Sequence, residues 1–180
     1  MAASAEMPYF INPSKPLAPA EKIAAYEEAY FAIKANLTGE TNTILKMSTI
    51  NCLMKTYLPY FYWVGFYMVD NGRLIVGPYQ GTLGCLSIDF SRGVCGKAAR
   101  EEKTQVVPRT HDLAEGADHI SCDPNSQSEI VVPVKNEKGE LIAVFDVDAT
   151  EENCFDEVDK EWLERIIEEQ FSITPISQRV

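Results

Sequence analysis

The chain has no run of about 18 consecutive apolar residues, so no segment is expected to cross a membrane as a helix. It is also poor in positive charge. Sixteen Lys and Arg stand against 27 Asp and Glu, for a net charge of −11. Nucleic-acid binders carry basic patches that neutralise phosphates, so that class of partner is not expected. The N-terminal MAASAEMPYFINPSKP has neither the basic segment nor the apolar segment of a secretory signal. The five cysteines (Cys52, Cys85, Cys95, Cys122, Cys154) form no C-x-x-C pair and have no framework spacing. That excludes a disulfide scaffold and suggests a reducing, cytoplasmic setting in which some thiols are free or catalytic. His119 and Cys122 lie close together without a partner pair to complete a zinc set, so no resident metal or bound cofactor is expected. No arginine follows Cys122 in a phosphate-cradling loop, which argues against a cysteine phosphatase.

What is present is one domain's worth of chain. At 180 residues and 46% hydrophobic content, it can bury a sizeable core. Four prolines within residues 1–19 predict an extended arm, and residues 20–175 read as a single domain without internal repeats. Ile23, Tyr26, Tyr30, Ile33 and Leu37 recur at helical spacing, and Gly39 ends that run. A second helix, capped by Thr41 or Asn42, presents Ile44, Leu45, Met47 or Ser48, Cys52 and Met54. Cys52 therefore reads as helix filling.

From Phe61 the period changes to two. FYWVGFYMV, the turn Asp70-Asn71-Gly72-Arg73 and LIVGPYQ predict a hairpin. A strand at Cys85–Phe90, a helix over 93–103 and a short strand over 104–107 follow. After the polar loop 108–127 come strands over 129–134 and 141–147, then an amphipathic helix from about Asp156 carrying Val158, Trp162, Ile166 and Phe171. This order predicts an α+β sandwich: one antiparallel sheet with helices packed on one face.

Strand parity sorts side chains by face. Trp63, Gly65 and Tyr67 share one face of the first strand. Ile142, Val144, Asp146 and Asp148 share a face of the last, opposite the wholly apolar Leu141, Ala143, Phe145 and Val147. Two aspartates at spacing two repel each other, and carboxylates at a strand end are commonly just solvated. The sharper expectation is a pocket in which Asp146 and Asp148 join Glu129, with Trp63 and Tyr67 as aromatic walls. Carboxylates and aromatic faces both attract ammonium groups, so such a pocket suits a small cation. Three cysteines lie in or beside loops. Cys85 follows GTLG; Cys95 is in GVCGK at a helix start, where the dipole favours thiolate; Cys122 sits in the polar stretch HISCDPNSQ. Together with the pocket they suggest thiol redox chemistry on a small molecule.

The motifs GVCGKAA, TQVVP, SEIVVPV and GELIAVFDVDA, in order, resemble the GAF domain. With WVGFY, GPYQG, Cys85, HISCD and D-V-D, the chain resembles the free methionine-R-sulfoxide reductases in particular. The resemblance runs from about Ile23 to Phe171. It implies a GAF-like fold with the ligand pocket on the sheet face away from the helices. It also implies an enzyme that reduces free L-methionine-(R)-S-oxide, with thioredoxin as electron donor and a homodimeric assembly. Carried over by position, Cys122 matches the attacking cysteine, and Cys85 and Cys95 match the other redox cysteines. Trp63 and Tyr67 match the aromatic wall, and Glu129, Asp146 and Asp148 the substrate-holding carboxylates. Either Asp148 or Asp146 is the expected proton donor. Either Cys85 or Cys95 resolves the sulfenic acid, Cys85 being the first choice. Cys52 and Cys154 fall outside the motifs and are expected to be dispensable. A non-enzymatic GAF sensor would share the fold; the three motif cysteines and the lack of an output domain within 180 residues weigh against it.

Overall fold

The turn between the first two strands forms on the predicted residues, because Asn71 (φ 47°) and Gly72 (φ 80°) both take the left-handed conformation that a two-residue hairpin requires. Around it, the computed structural model describes residues 15–112 and 123–172. Helices α1 (Pro19–Leu37) and α2 (Thr43–Tyr57) precede the hairpin β1 (Trp63–Asp70) and β2 (Arg73–Gln80). Then come β3 (Ser87–Asp89), α3 (Gly93–Glu101), β4 (Gln105–Val107), β5 (Ser128–Lys135), β6 (Leu141–Ala149) and α4 (Glu157–Ile167). The six strands make one sheet in the order β3-β2-β1-β6-β5-β4, every neighbouring pair antiparallel. Among the described residues no helix is long and apolar enough to cross a membrane.

Parity decides the two layers. Val64, Phe66, Ile130, Val132, Val134, Ala143, Phe145 and Val147 face the larger core, filled from above by α1, α2 and α4. Trp63, Tyr67, Val131 and Val144 project from the opposite face into a second apolar cluster. That cluster is completed by Val94, Cys95, Ala98 and Ala99 of α3. Three helices thus pack on one face as expected, while α3 lies across the other and walls the pocket side.

Two helical stripes are rotated from their sequence reading. In α2 the buried positions are Met47, Ile50, Asn51 and Met54. Ile44, Leu45 and Cys52 are exposed, so Cys52 is not core filling. Apolar residues at both 44–45 and 47–50 left two stripes possible, and packing against the sheet chose the second. In α1, Ile23 is 40% exposed and Lys22 takes the inward place at 2%.

Lys22 can be buried because it is fully paired. Its Nζ lies 2.5 Å from Asp159 and 2.9 Å from Asp156, and donates also to the Cys154 carbonyl. Asp159, with no exposure, accepts further bonds from the Tyr26 and Tyr60 hydroxyls at 2.9 and 2.6 Å. This cluster ties the start of α1 to the start of α4, where Asp156 caps the helix through the Val158 amide. Removing one member of a buried ion pair strands the other charge. Lys22→Ala should cost about 3–5 kcal/mol, read as a lower denaturation midpoint at unchanged m-value. A loss under about 1 kcal/mol would place the attachment of α1 in apolar packing alone.

Candidate active site

β6 lies between β1 and β5, and its register builds the site. Asp148 stands opposite Trp63 on one side and Glu129 on the other. Two residues along, Asp146 stands opposite Gly65 and Val131. Directly opposed side chains sit about 5 Å apart at Cβ, so three carboxylates meet on one sheet face. Nothing at strand level separates them.

The aromatic wall is wider than the sequence suggested. Trp63 stacks on Tyr67 at 5.5 Å and on Tyr79 of β2 at 5.3 Å, with interplanar angles of 18° and 16°. Its indole N–H donates to the Thr82 carbonyl. The stack needs Gly65. A Cβ there would lie 2.4 Å from the Tyr79 Cβ and 2.6 Å from the Trp63 ring. At the other wall, a Cβ on Gly96 would strike the Phe90 carbonyl oxygen at 2.7 Å, so glycine lets α3 approach the segment before it.

Between these walls is a cavity of about 600 Å³, open solvent at its mouth included. Trp63, Tyr67, Cys95, Glu129, Asp146 and Asp148 all line it, so the structure brings together every candidate residue of the pocket reading that it describes. Cys122 and His119 lie outside the described residues. Cys85 sits beside this cluster and is disulfide-bonded, whereas Cys52, Cys95 and Cys154 are free thiols. Of the thiols outside the motifs, Cys52 is exposed and Cys154 is buried near Glu151, donating to its carbonyl.

Asp123, Thr82, Thr110 and Ser126 also line the cavity and were not singled out in the sequence. Asp123 accepts from the Tyr62 hydroxyl at 2.7 Å and the Thr82 hydroxyl at 2.6 Å. Thr110 donates from its hydroxyl to the Ser126 carbonyl, and Ser126 donates to Asp148. The segment just after Cys122 is thus fastened to Tyr62 immediately before β1, to the Gly81–Gly84 loop and to the carboxylate cluster. These bonds join residues 16 to 61 positions apart, which local patterns do not reveal.

No Lys or Arg is among the described residues lining the cavity, and four carboxylates are. Burial, and then the Asp148 charge, push Asp146 well above the usual carboxylate range. Burial followed by Asp146 and Asp148 does the same to Glu129. Burial takes Asp148 up to about 7, against the Ser126 hydroxyl bond and with help from Asp123. Asp123, although partly buried, stays below its ordinary value through the bonds from Thr82, Asn125 and Tyr62. Cys95 departs from the thiolate expectation. Burial, then Asp146, Glu129 and Asp148, push its thiol up, and these nearby charges outweigh the helix-start dipole. Its Sγ points at Glu129 Oε1, 3.9 Å away. The pocket therefore holds protons that a bound cation would displace.

Comparison with known proteins agrees with this architecture. The sequence pattern of the GAF domain matches residues 58–169. The free methionine-R-sulfoxide reductase of Saccharomyces cerevisiae is 38% identical over 135 residues, covering 71% of this chain and 73% of that protein. The Escherichia coli protein of the same name is 32% identical over 146 residues, covering 81% and 86%. The X-ray structure of free methionine-R-sulfoxide reductase from Neisseria meningitidis, in complex with its substrate, superposes with a TM-score of 0.76 at 34% identity. That match covers 88% of this chain and 95% of the other.

The raised carboxyl groups predict a cost in stability at neutral pH. A carboxyl whose folded pKa lies above its unfolded value stabilises the fold at low pH. The benefit is lost as pH rises through the folded value. Asp148→Asn should therefore match the parent near pH 4, gain as pH rises toward 7 and stay level above. At pH 8 the melting temperature should rise by roughly 2–4 °C, the equivalent of about 1 kcal/mol in a chain of this size. A variant less stable than the parent at pH 8 would show that Asp148 is a favourably solvated charge.

Proposed function

Since this chain belongs to the free methionine-R-sulfoxide reductase family of GAF domains, we propose that it reduces free L-methionine-(R)-S-oxide to L-methionine by cysteine chemistry, with thioredoxin renewing the thiols. The observation that carries the reading is the pocket itself: buried acids with no basic residue among the described lining residues, beside a triple aromatic stack. An α-ammonium group neutralises the acids, and the methyl sulfoxide end lies against Trp63 and Tyr67. A peptide-bound residue has no free ammonium to offer.

The Cys122 thiolate attacks the sulfoxide sulfur while an acid protonates the oxygen. The hydroxyl then passes to the cysteine sulfur as the transient sulfur–sulfur bond and the substrate S–O bond break, so methionine leaves and Cys122 remains as sulfenic acid. The Cys85 thiol then displaces hydroxide from that sulfur, giving a Cys85–Cys122 disulfide and water. Two electrons and two protons from the thioredoxin dithiol restore both thiols by exchange. Support for Cys85 over Cys95 as the resolving residue is that Cys85 is the disulfide-bonded one, while Cys95 is a free, buried thiol. Cys95 then serves as part of the pocket wall.

Among the acids, Asp148 suits the proton donor. It titrates near the working pH, and Ser126 links it to the segment that follows Cys122. Asp146, held well above the usual carboxylate range by burial and buried at 6% exposure, suits a fixed wall, and Glu129 the ammonium grip. The exposed Phe31, Ile44 and Leu45 of the first two helices supply an apolar surface for self-association as a dimer.

The test is an NADPH-coupled thioredoxin assay with free R and S epimers and N-acetylmethionine sulfoxide. Only the free R epimer should turn over. In kcat/KM an alkaline limb near pH 7 should report Asp148 in the free enzyme. Asp148→Asn should remove that limb and slow single-turnover oxidation of the enzyme by roughly 10²–10⁴-fold. Equal turnover of the N-acetyl substrate would sink the ammonium reading, and a wild-type rate in the variant would sink the assignment of Asp148.

A further inference from the structure

The same pocket contains a ligand set that an amino acid does not use in full. Cys95 Sγ and carboxylate oxygens of Glu129 and Asp146 all lie within 4.8 Å of one another. The Sγ to Glu129 separation is 3.9 Å. Around a tetrahedral zinc ion, sulfur and oxygen ligands sit roughly 3.6 Å apart and two oxygens roughly 3.4 Å apart, from bond lengths of about 2.3 and 2.1 Å. Ångström-scale side-chain movements therefore close the set. Independently, Asp146 Oδ1 meets no hydrogen-bond donor among the described residues although Asp146 is only 6% exposed. A buried acceptor left without a donor is an opening for an electropositive ligand.

We propose that this pocket, when empty of substrate, takes one thiophilic divalent cation (zinc or cadmium) on Cys95, Glu129 and Asp146, as an exogenous competitor and not as a resident cofactor. As the Sγ–metal bond forms, the Cys95 thiol gives its proton to solvent, and the carboxylic acids give theirs. Three protein ligands leave a fourth position to water, which can enter from the cavity mouth. Magnesium and calcium demand a larger shell of oxygens and gain little from sulfur, so they are excluded by the same set. The metal site stands on geometry alone. Only its competition with substrate rests on the proposed ammonium site.

The form to test is the one with Cys85 disulfide-bonded, in a Cys52→Ser background that removes the exposed free thiol. Cadmium is titrated calorimetrically and by its thiolate absorption band, zinc by competition with a chromophoric chelator. The expected result is one equivalent bound, weakened at least tenfold by Cys95→Ser and by Asp146→Asn, and indifferent to millimolar magnesium. L-methionine, which cannot be reduced, should displace the metal. Stoichiometric binding unchanged by Cys95→Ser would put the metal elsewhere, and absence of binding with the thiol intact would end the proposal. Glu129→Gln gives the same comparison should either first variant fail to fold. If the metal binds as stated but L-methionine does not displace it, the competition and the ammonium site are overturned while the metal site stands.

Discussion

Three carboxyl groups on one buried sheet face, with no basic residue among the described residues of the cavity to neutralise them, are the constraint on which the site depends. Like charges in a poorly solvated cavity cannot all ionise, so they hold protons at pH values where free carboxyls have none. A pocket in that state attracts a cation and has acid in hand for a leaving oxygen. The central place of β6 creates it: Asp148 and Asp146 are flanked on both sides, by Trp63 and Gly65 of β1 and by Glu129 and Val131 of β5. No edge strand could collect acids and aromatic rings in this way.

The rest of the fold keeps that arrangement rigid and enclosed. α1, α2 and α4 cover the other sheet face, and the Lys22–Asp159 cluster pins two of them together. α3 covers the pocket side, with Gly96 letting it pack against the Asp89–Phe90 backbone, and supplies Cys95 as part of the wall. The Asp123 and Ser126 bonds fasten the chain immediately after Cys122 to both pocket walls. Chemistry that needs a thiol to act within reach of an acid is served by such short tethers.

Much of this was legible in the sequence because strand parity is a local rule. Alternation alone put Trp63 with Tyr67 on one face of β1 and Asp146 with Asp148 on one face of β6, and the register makes these the same pocket-side face of the sheet. The turn at Asn71-Gly72 was equally local. What parity cannot give is the register, so Glu129 is expected from the strand beside Asp146 and Asp148 without its partner, and the pairing makes that partner Asp148. Tyr79 entered the stack through a long-range hairpin contact, and Asp123 through partners 41 and 61 residues away. In α2, two overlapping apolar stripes misplaced Cys52, because only the sheet beneath decides which stripe turns inward. At Cys95 the helix-start dipole is local to α3, whereas burial and the carboxyl groups of Asp146, Glu129 and Asp148 that push the thiol up come from β5 and β6.

The account's central claim is that the empty pocket stores protons which an ammonium group displaces. Calorimetric titration with L-methionine at pH 7, repeated in buffers of different ionisation enthalpy, measures that exchange directly. The account predicts release of roughly one proton per ligand bound, because the ammonium charge restores ionisation to a carboxyl held neutral by burial and its neighbours. Binding with no proton exchange, or with uptake, would contradict it.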